Sequence, residues 1–397
     1  MNTDLSRLQP YPFERLAALK AGIEPQRPDA ITLSIGEPKH PHPAFVGDII
    51  QGHLDGLERY PTTRGPEELR NTIAQWLRQR FTLPEDAVDG SRHVLPVNGT
   101  REALFAFAQC VIDRHHNPVA VIPNPFYQIY EGACLLAGAE PWYLNTTAET
   151  GWLPEFSAVP ERIWQRTQLI YICSPSNPTG QVIGISELQK LVELAERYDF
   201  VIASDECYSE IYRDEDAPPA GLLEAAWQMG NTDFRRCMVF HSLSKRSNLP
   251  GMRSGFVAGD ADLIAQFLRY RTYHGCSMPP YHQLASLKAW GDEDHVRENR
   301  MHYRQKFTAV REILADVLEF EIPPAGFYLW PHTPIDDTEF AKSLFATQNV
   351  TVLPGSYLSR DTHGISPGAH HVRIALVAPF EECVDAARRI RDHAEGL

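Results

Sequence analysis

The chain reads as an α/β protein: a mostly parallel central sheet covered by helices, followed by a smaller α+β domain. Three observations point there. Short apolar runs at 119–122, 169–173, 200–204, 238–241 and 255–258 have the length of buried strands. Amphipathic stretches at 101–114, 127–137, 186–198 and 261–271 separate them, as crossover helices separate parallel strands. After about residue 290 this alternation stops, and the remaining segments have a different rhythm.

Each element has its own signal. Ser186-Glu-Leu-Gln189 has the form of a capping box, predicting a helix start there. A long charged stretch at 293–318 predicts one helix, leading to Ala-Gly-Phe-Tyr-Leu-Trp at 325–330. A helix at 338–347, strands at 350–353 and 372–377 and a final helix from Glu381 complete the pattern. The division expected is a large domain over 46–290 and a small one built from 291–397 with the N-terminal arm 1–45. No repeat or low-complexity tract interrupts it, and the 31 prolines are dispersed among loop ends.

The composition excludes several classes of function. Of 397 residues, 43% are hydrophobic and 22% charged, in the range of a soluble globular protein. A net charge of −14 argues against nucleic acid or an anionic membrane as partner. Seven scattered cysteines without a CxxC pair read as reduced, mostly buried thiols, and a cytoplasmic location is expected. The first residues lack the apolar stretch of a signal peptide, and no apolar run has transmembrane length. The Asn98-Gly-Thr and Asn145-Thr-Thr sequons therefore carry no glycan in this reading. His115-His116 and His370-His371 have no acidic or cysteine partners at ligand spacing, so no metal is expected.

The chemistry gathers where the apolar runs end. Ser242-Leu-Ser-Lys-Arg-Ser-Asn-Leu-Pro-Gly-Met-Arg253 follows one run and precedes another. Lys245 is an amine able to form a Schiff base with a carbonyl, while Ser242, Ser244 and Arg253 are phosphate-type ligands beside it. Together they describe a covalent pyridoxal phosphate site. Asp205 follows the run at 200–204; its carboxylate suits a pyridinium nitrogen, and Tyr208 three residues on suits the ring's phenolic oxygen. Ser174-Pro-Ser-Asn-Pro-Thr-Gly180 is a stiff turn offering the Asn177 amide to ring oxygen and substrate carboxylate. Asn98-Gly-Thr-Arg-Glu opens a helix, whose Gly99, Thr100 and Arg101 amides can meet a phosphate. Asn124 and Tyr127 end another run, and the Tyr127 ring can stack on a pyridine face. Arg373 breaks an apolar strand pattern, which a bidentate grip on an α-carboxylate would justify and a surface edge strand would equally allow. Ligands of open α/β sheets bind at the carboxyl ends of the strands, so this clustering on one sheet edge is itself an argument.

In their order and spacing these motifs resemble the fold-type I pyridoxal phosphate enzymes, specifically the class I/II aminotransferases, from about Leu33 to Arg373. The resemblance implies that Lys245 links to the cofactor and then moves the proton between the substrate α-carbon and C4′ of the cofactor. It implies that Ser242, Ser244, Arg253 and the helix start Gly99–Arg101 hold the phosphate. Tyr127 would stack, Asp205 would pair with the ring nitrogen, and Asn177 with Tyr208 would hold the ring oxygen. Arg373 and the Gly36 backbone would take the α-carboxylate. Tyr60 would reach the phosphate of a neighbouring subunit, implying a homodimer with shared sites.

Several stretches, among them Leu33-Ser-Ile-Gly-Glu-Pro-Lys-His and Val97-Asn-Gly-Thr-Arg-Glu-Ala-Leu-Phe, are similar to bacterial succinyldiaminopimelate transaminases. That implies a small-molecule amino donor, N-succinyl-LL-2,6-diaminopimelate, and 2-oxoglutarate as acceptor, in diaminopimelate and lysine biosynthesis. Two departures add positive charge: Lys39-His40 where the wider family has an acidic residue, and Arg246 where it has a small or hydroxyl one. Lys39, Arg246 and Arg271 are therefore candidates for reading the distal or succinyl carboxylate. Other amino donors (acetylornithine, aspartate, aromatic amino acids) and a pyridoxal phosphate C–S lyase or racemase are the alternatives. A DNA-binding regulator on this fold would need an added domain, and only about 30 residues precede the fold.

Overall fold

The computed structural model describes residues 2–275 and 277–397. Twelve strands are found among the described residues: β1 (Ile31–Thr32), β2 (Val94–Val97), β3 (Val119–Asn124), β4 (Glu140–Asn145), β5 (Thr167–Cys173), β6 (Val201–Asp205), β7 (Cys237–Ser242), β8 (Gly255–Gly259), β9 (Tyr328–Leu329), β10 (Val350–Thr351), β11 (Leu353–Pro354) and β12 (Val372–Ala375). Seven form the main sheet in the order β2-β8-β7-β6-β5-β3-β4. The pairings from β7 through β6, β5 and β3 to β4 are parallel, while β8 runs antiparallel to both β2 and β7.

The apolar runs are continuous because both faces of the sheet are covered. Along each strand, alternate residues enter different cores. Val119, Val121, Ile170, Ile172, Ile202 and Val239 face one cluster, which extends in sequence from Val46 to Trp290. Ala120, Ile122, Leu169, Tyr171, Ala203, Met238 and Phe240 face the other, closed by the helices Thr100–Val111 and Ile129–Ala137.

A separate core unites Ile31 and Leu33 with residues from Phe307 to Ile390. There β1 pairs in parallel with β10, and the antiparallel sheet β11-β12-β9 carries Arg373 on its central strand. The stretch expected as one strand at 350–353 is split, because β10 and β11 belong to different sheets. The helices Asp294–Leu314, Asp337–Gln348 and Phe380–Glu395 cover this part.

Two local expectations are corrected. The helix Ile185–Tyr198 begins after Gly184 with no side-chain cap, so Ser186 lies inside its first turn and forms no capping box. β2 and β4 were not among the expected strands; each carries a proline, and proline reads against a strand. Six described cysteines are free thiols, five of them buried, and Cys276 lies outside the described residues. Among the described residues, no helix is long and apolar enough to cross a membrane.

Candidate active site

The parallel strands deliver their carboxyl ends to one edge, and β8 adds a twist to this plan. Ser242, ending β7, pairs with Gly255, which begins β8, so the connection between them leaves and returns at the same edge. Lys245 lies in the short helix Leu243–Arg246 on the way out, and Arg253 on the way back. A cavity of about 460 Å³ opens there. Its walls include Gly36, Thr100, Arg101, Tyr127, Asn177, Asp205, Tyr208, Ser242, Ser244, Lys245, Arg253 and Arg373.

Lys245 Nζ donates to the carbonyl of Gly36 and lies 5.5 Å from the centre of the Phe327 ring. Desolvation lowers its pKa to about 8 from 10.5, with the Arg373 and Arg253 cations pushing in the same direction. A neutral, nucleophilic amine is thus accessible near physiological pH. In cofactor-free protein, acylation of Lys245 by an amine-directed reagent is expected to rise with a midpoint near pH 8. Peptide mass spectrometry across a pH series measures this, and a midpoint at the ordinary lysine value would contradict it. Because the folded pKa is the lower one, the unfolded chain binds more protons between about 8 and 10.5. This group therefore makes stability rise with pH through that window.

Asp205 terminates β6 and is buried. Tyr130 OH donates to its Oδ2 at 2.7 Å, and the Cys207 amide donates to Oδ1 at 3.2 Å. Burial raises its pKa, while the hydrogen bonds from Cys207 and Tyr130 pull the other way, and a cation in the cavity would favour its ionised form. Tyr208 and Tyr328 hydroxyls meet at 2.9 Å, and burial pushes both phenols up.

Arg373 is buried on β12 rather than on an edge strand. Its Nη1 donates to Asn177 Oδ1 at 2.8 Å and its Nη2 to Ser34 O at 2.7 Å, with the guanidinium 4.5 Å over the Tyr328 ring. Asn177 spends its oxygen on this contact and keeps its NH₂ for a ligand. Gly36 stands next to this clamp because a Cβ there would meet Tyr328 OH at 2.0 Å.

At the anion-type end, Ser242 Oγ accepts the Ser244 amide at 3.1 Å and directs its single proton to Ser244 Oγ or Ser254 O. Ser242 therefore buttresses, and the Ser244 hydroxyl keeps a free proton. Gly99 also differs from expectation. Its amide donates to Val97 O at 2.9 Å, so it offers no N–H to a phosphate. Its φ of +80° and lack of a side chain make room for Arg253, whose Nη2 would lie 2.3 Å from a Cβ there. Thr100 and Arg101, in the first helical turn, have no carbonyl four residues back to satisfy their amides. The Arg101 side chain crosses the pocket wall, donating to Tyr127 OH at 2.7 Å and Tyr11 OH at 2.9 Å.

Several expected residues lie outside this cavity. Arg246 is fully buried on the far side: Nη1 donates to Ala289 O at 2.7 Å, Nη2 pairs with Glu293, and its cation lies 4.9 Å from the Trp290 ring. Successive helical residues diverge by about 100°, so the turn that aims Lys245 inward sends Arg246 into the core. Arg271 is fully buried against Glu102 at 2.6 Å, itself bound to the Asn98 amide. Lys39 pairs with Glu382 at 3.5 Å on the surface. None of the three is placed to read a substrate carboxylate. Tyr60 is wholly exposed and away from its own chain's pocket. Asn124 is buried against Asn145 and the Arg360 carbonyl, leaving Tyr127 as the pocket residue of that strand end. Sequence reading missed Tyr11, Tyr130 and Tyr328, which reach the site from three distant segments and individually resemble core aromatics.

Comparison with known proteins accords with this geometry. The family model described as aminotransferase class I and II matches residues 28–390. A curated LL-diaminopimelate aminotransferase of Dehalococcoides mccartyi is 30% identical over 386 residues, covering 95% of each chain. An aminotransferase of Neisseria meningitidis superposes with a TM-score of 0.94 at 47% identity, covering 98% of this chain and 99% of that one. A probable N-succinyldiaminopimelate aminotransferase of Thermus thermophilus superposes with a TM-score of 0.83 at 25% identity, covering 96% and 100%. With a lysine of lowered pKa, a buried carboxylate and a buried guanidinium converging on one cavity, the chain belongs to the class I and II aminotransferases, enzymes dependent on pyridoxal 5′-phosphate.

Proposed function

We propose that the protein transfers an amino group between N-succinyl-LL-2,6-diaminopimelate and 2-oxoglutarate, a step towards diaminopimelate and lysine. The observation that carries this reading is a further guanidinium, Arg101, on the wall of the pocket that already holds Arg373, Arg253 and Lys245. The acceptor has an α-carboxylate and one distal carboxylate, and the donor has an α-carboxylate, a distal one and that of its succinyl group. Arg373 suits the α-carboxylate, and Arg101, steadied by two tyrosyl hydroxyls, suits a carboxylate further out.

The donor set fits pyridoxal 5′-phosphate. Ser244 Oγ, the Thr100 and Arg101 amides and the Arg253 guanidinium can take a phosphate dianion; Asp205 supplies the anion for a ring nitrogen. The Asn177 amide and Tyr208 hydroxyl suit a ring oxygen, and Tyr127 offers a stacking face. When bound, the cofactor supplies a carbonyl for amines and an electron sink for the pair released at the α-carbon. With the cofactor bound, Lys245 Nζ would take the α-proton as general base and return it as general acid. Arg373 and Asn177 fix the α-carboxylate so that this proton faces Nζ.

Tyr60 belongs to the same reading as a ligand for the phosphate of a second copy of the chain. Like Leu54, Leu57 and Tyr273, it is a large exposed apolar side chain, the kind that a homodimer interface would cover.

The names of curated relatives favour a second reading, in which unsuccinylated LL-diaminopimelate is the donor. That donor has a distal ammonium where the succinylated one has an amide, and Glu37 on the pocket wall is the carboxylate available to it. A panel with 2-oxoglutarate, comparing kcat/KM for succinyldiaminopimelate, LL-diaminopimelate, acetylornithine, aspartate and tyrosine, separates the readings. The succinylated donor is expected to lead by more than about tenfold, the range that one well-placed contact can give. A lead for LL-diaminopimelate that Glu37→Gln removes would establish the second reading instead.

A further inference from the structure

His40, one of the two departures from the wider family's pattern, has a part in the site although it touches no cavity wall. Its ring is half-buried between those of His302 and Tyr303, at centroid distances of 5.1 and 4.6 Å. Nε2 lies 2.6 Å from Lys306 Nζ, and Nδ1 lies 2.8 Å from Asn299 Oδ1. An ammonium only donates, so Nε2 accepts, and the ring proton sits on Nδ1 and is given to Asn299. Burial pushes the imidazolium down to about pH 4, with the Lys306 charge adding to the effect, so the ring is neutral.

Asn299 then has every hydrogen-bonding position in use. Its Oδ1 also accepts from Asn248 Nδ2 at 3.1 Å, and its Nδ2 donates to the carbonyls of Lys245 at 3.2 Å and Arg246 at 3.4 Å. Flipping the amide would set its oxygen against two carbonyls and its NH₂ against two donors. Donation therefore runs one way, from Lys306 through His40 and Asn299 to the main chain of Lys245. Lys306 is anchored at its own end by donation to Leu376 O at 3.2 Å.

Both ends of this bridge belong to the active site. His40 lies four residues beyond Gly36, and the same segment supplies Ser34 O to Arg373 and Ile35, Gly36 and Glu37 to the pocket wall. The direct link between that segment and Lys245 runs through Nζ to Gly36 O, and it is lost whenever Nζ is engaged elsewhere. The bridge uses only the lysine's main chain and survives that change.

We propose that His40 and Asn299, anchored by Lys306, are positioning residues that hold the Lys245 turn in register with segment 34–41, and so fix the amine relative to the Arg373 carboxylate clamp. The proposal rests on Lys245 being the reacting amine, which Lys245→Ala tests separately.

The test uses the holoenzyme and two substitutions of one half-buried residue. His40→Phe keeps a ring between His302 and Tyr303 but no hydrogen bonds; His40→Gln gives up the ring but can still accept from Lys306 and donate to Asn299. Misplacement of a reacting group costs up to about 100-fold, so His40→Phe is expected to lower kcat about 10-fold or more with KM nearly unchanged. His40→Gln should stay within about threefold of the parent, since one good hydrogen-bond path remains. Asn299→Ala, alone and combined with His40→Phe, should give a double variant no slower than the slower single one, as expected of residues acting as a unit. In the holoenzyme, His40→Phe should also speed amide hydrogen exchange in both 34–41 and 243–248. Parental kcat in His40→Phe, multiplicative losses in the double variant, or exchange changes confined to 34–41 would each overturn the proposal.

Discussion

Lys245→Ala is expected to lower kcat by about 10⁴-fold or more and to abolish the borohydride-reducible link between protein and cofactor. Two proposed roles would disappear with one amine, covalent attachment and proton transfer at the α-carbon, and general acid–base catalysis alone is commonly worth about 10²–10⁴. Stability should not follow activity. The folded protein lowers the amine's pKa by desolvation, which marks the ammonium as a group that folding disfavours at neutral pH. The variant should therefore unfold at a temperature equal to or above that of the parent, as happens where a site is built at the expense of stability. Cofactor should still bind, because Ser244, Arg253 and Asp205 remain. Steady-state kinetics, intact-protein mass after borohydride and thermal unfolding check the three parts. Residual turnover above about a hundredth of the parent's would remove Lys245 from the catalytic role.

Arg373→Lys is expected to reduce kcat/KM about 100-fold, or about 3 kcal/mol, for amino donor and 2-oxoglutarate alike. The substitution keeps the charge and loses the fork. Arg373 holds Asn177 with one nitrogen and Ser34 O with the other while lying over Tyr328, and a single ammonium cannot meet that geometry. Asn177 would lose its partner as well, so its amide would no longer be aimed at a ligand. Kinetics with both substrates test this; a loss confined to one of them would show that the clamp does not bind their shared α-carboxylate.

The legible part of the fold was the part with a simple physical cause. Strands β3, β5, β6, β7 and β8 are covered on both faces and are nearly unbroken apolar runs. β2 and β4 were hidden by Pro96 and Pro141, and β4, which opens on the exposed Glu140 and fully buries only Leu144, gives little apolar signal. In the site, Lys245, Asp205, Tyr208, Asn177, Arg253 and Arg373 are legible because each is a polar residue where an apolar run ends or is interrupted. Direction was not legible. Lys245 and Arg246 are neighbours in sequence, and only the phase of one helical turn decides which enters the pocket. Gly99 was identified as a backbone donor, yet the feature that matters there is the space it leaves for Arg253. Tyr11, Tyr130 and Tyr328 had no local signature, since each is fixed by partners more than seventy residues away.

The pairing of Ser242 with Gly255 has a consequence for how such an enzyme can change over time. Because β8 returns antiparallel beside β7, both ends of the stretch 243–254 are tied to one rung of the sheet. An extra residue placed there has no slack at either end and must bulge, either into the cavity or against the Trp76 and Trp290 core. Length changes in this stretch should therefore be poorly tolerated. New substrate preferences are free to arise on the opposite wall, in the arm bearing Tyr11, where the chain can lengthen without moving the lysine.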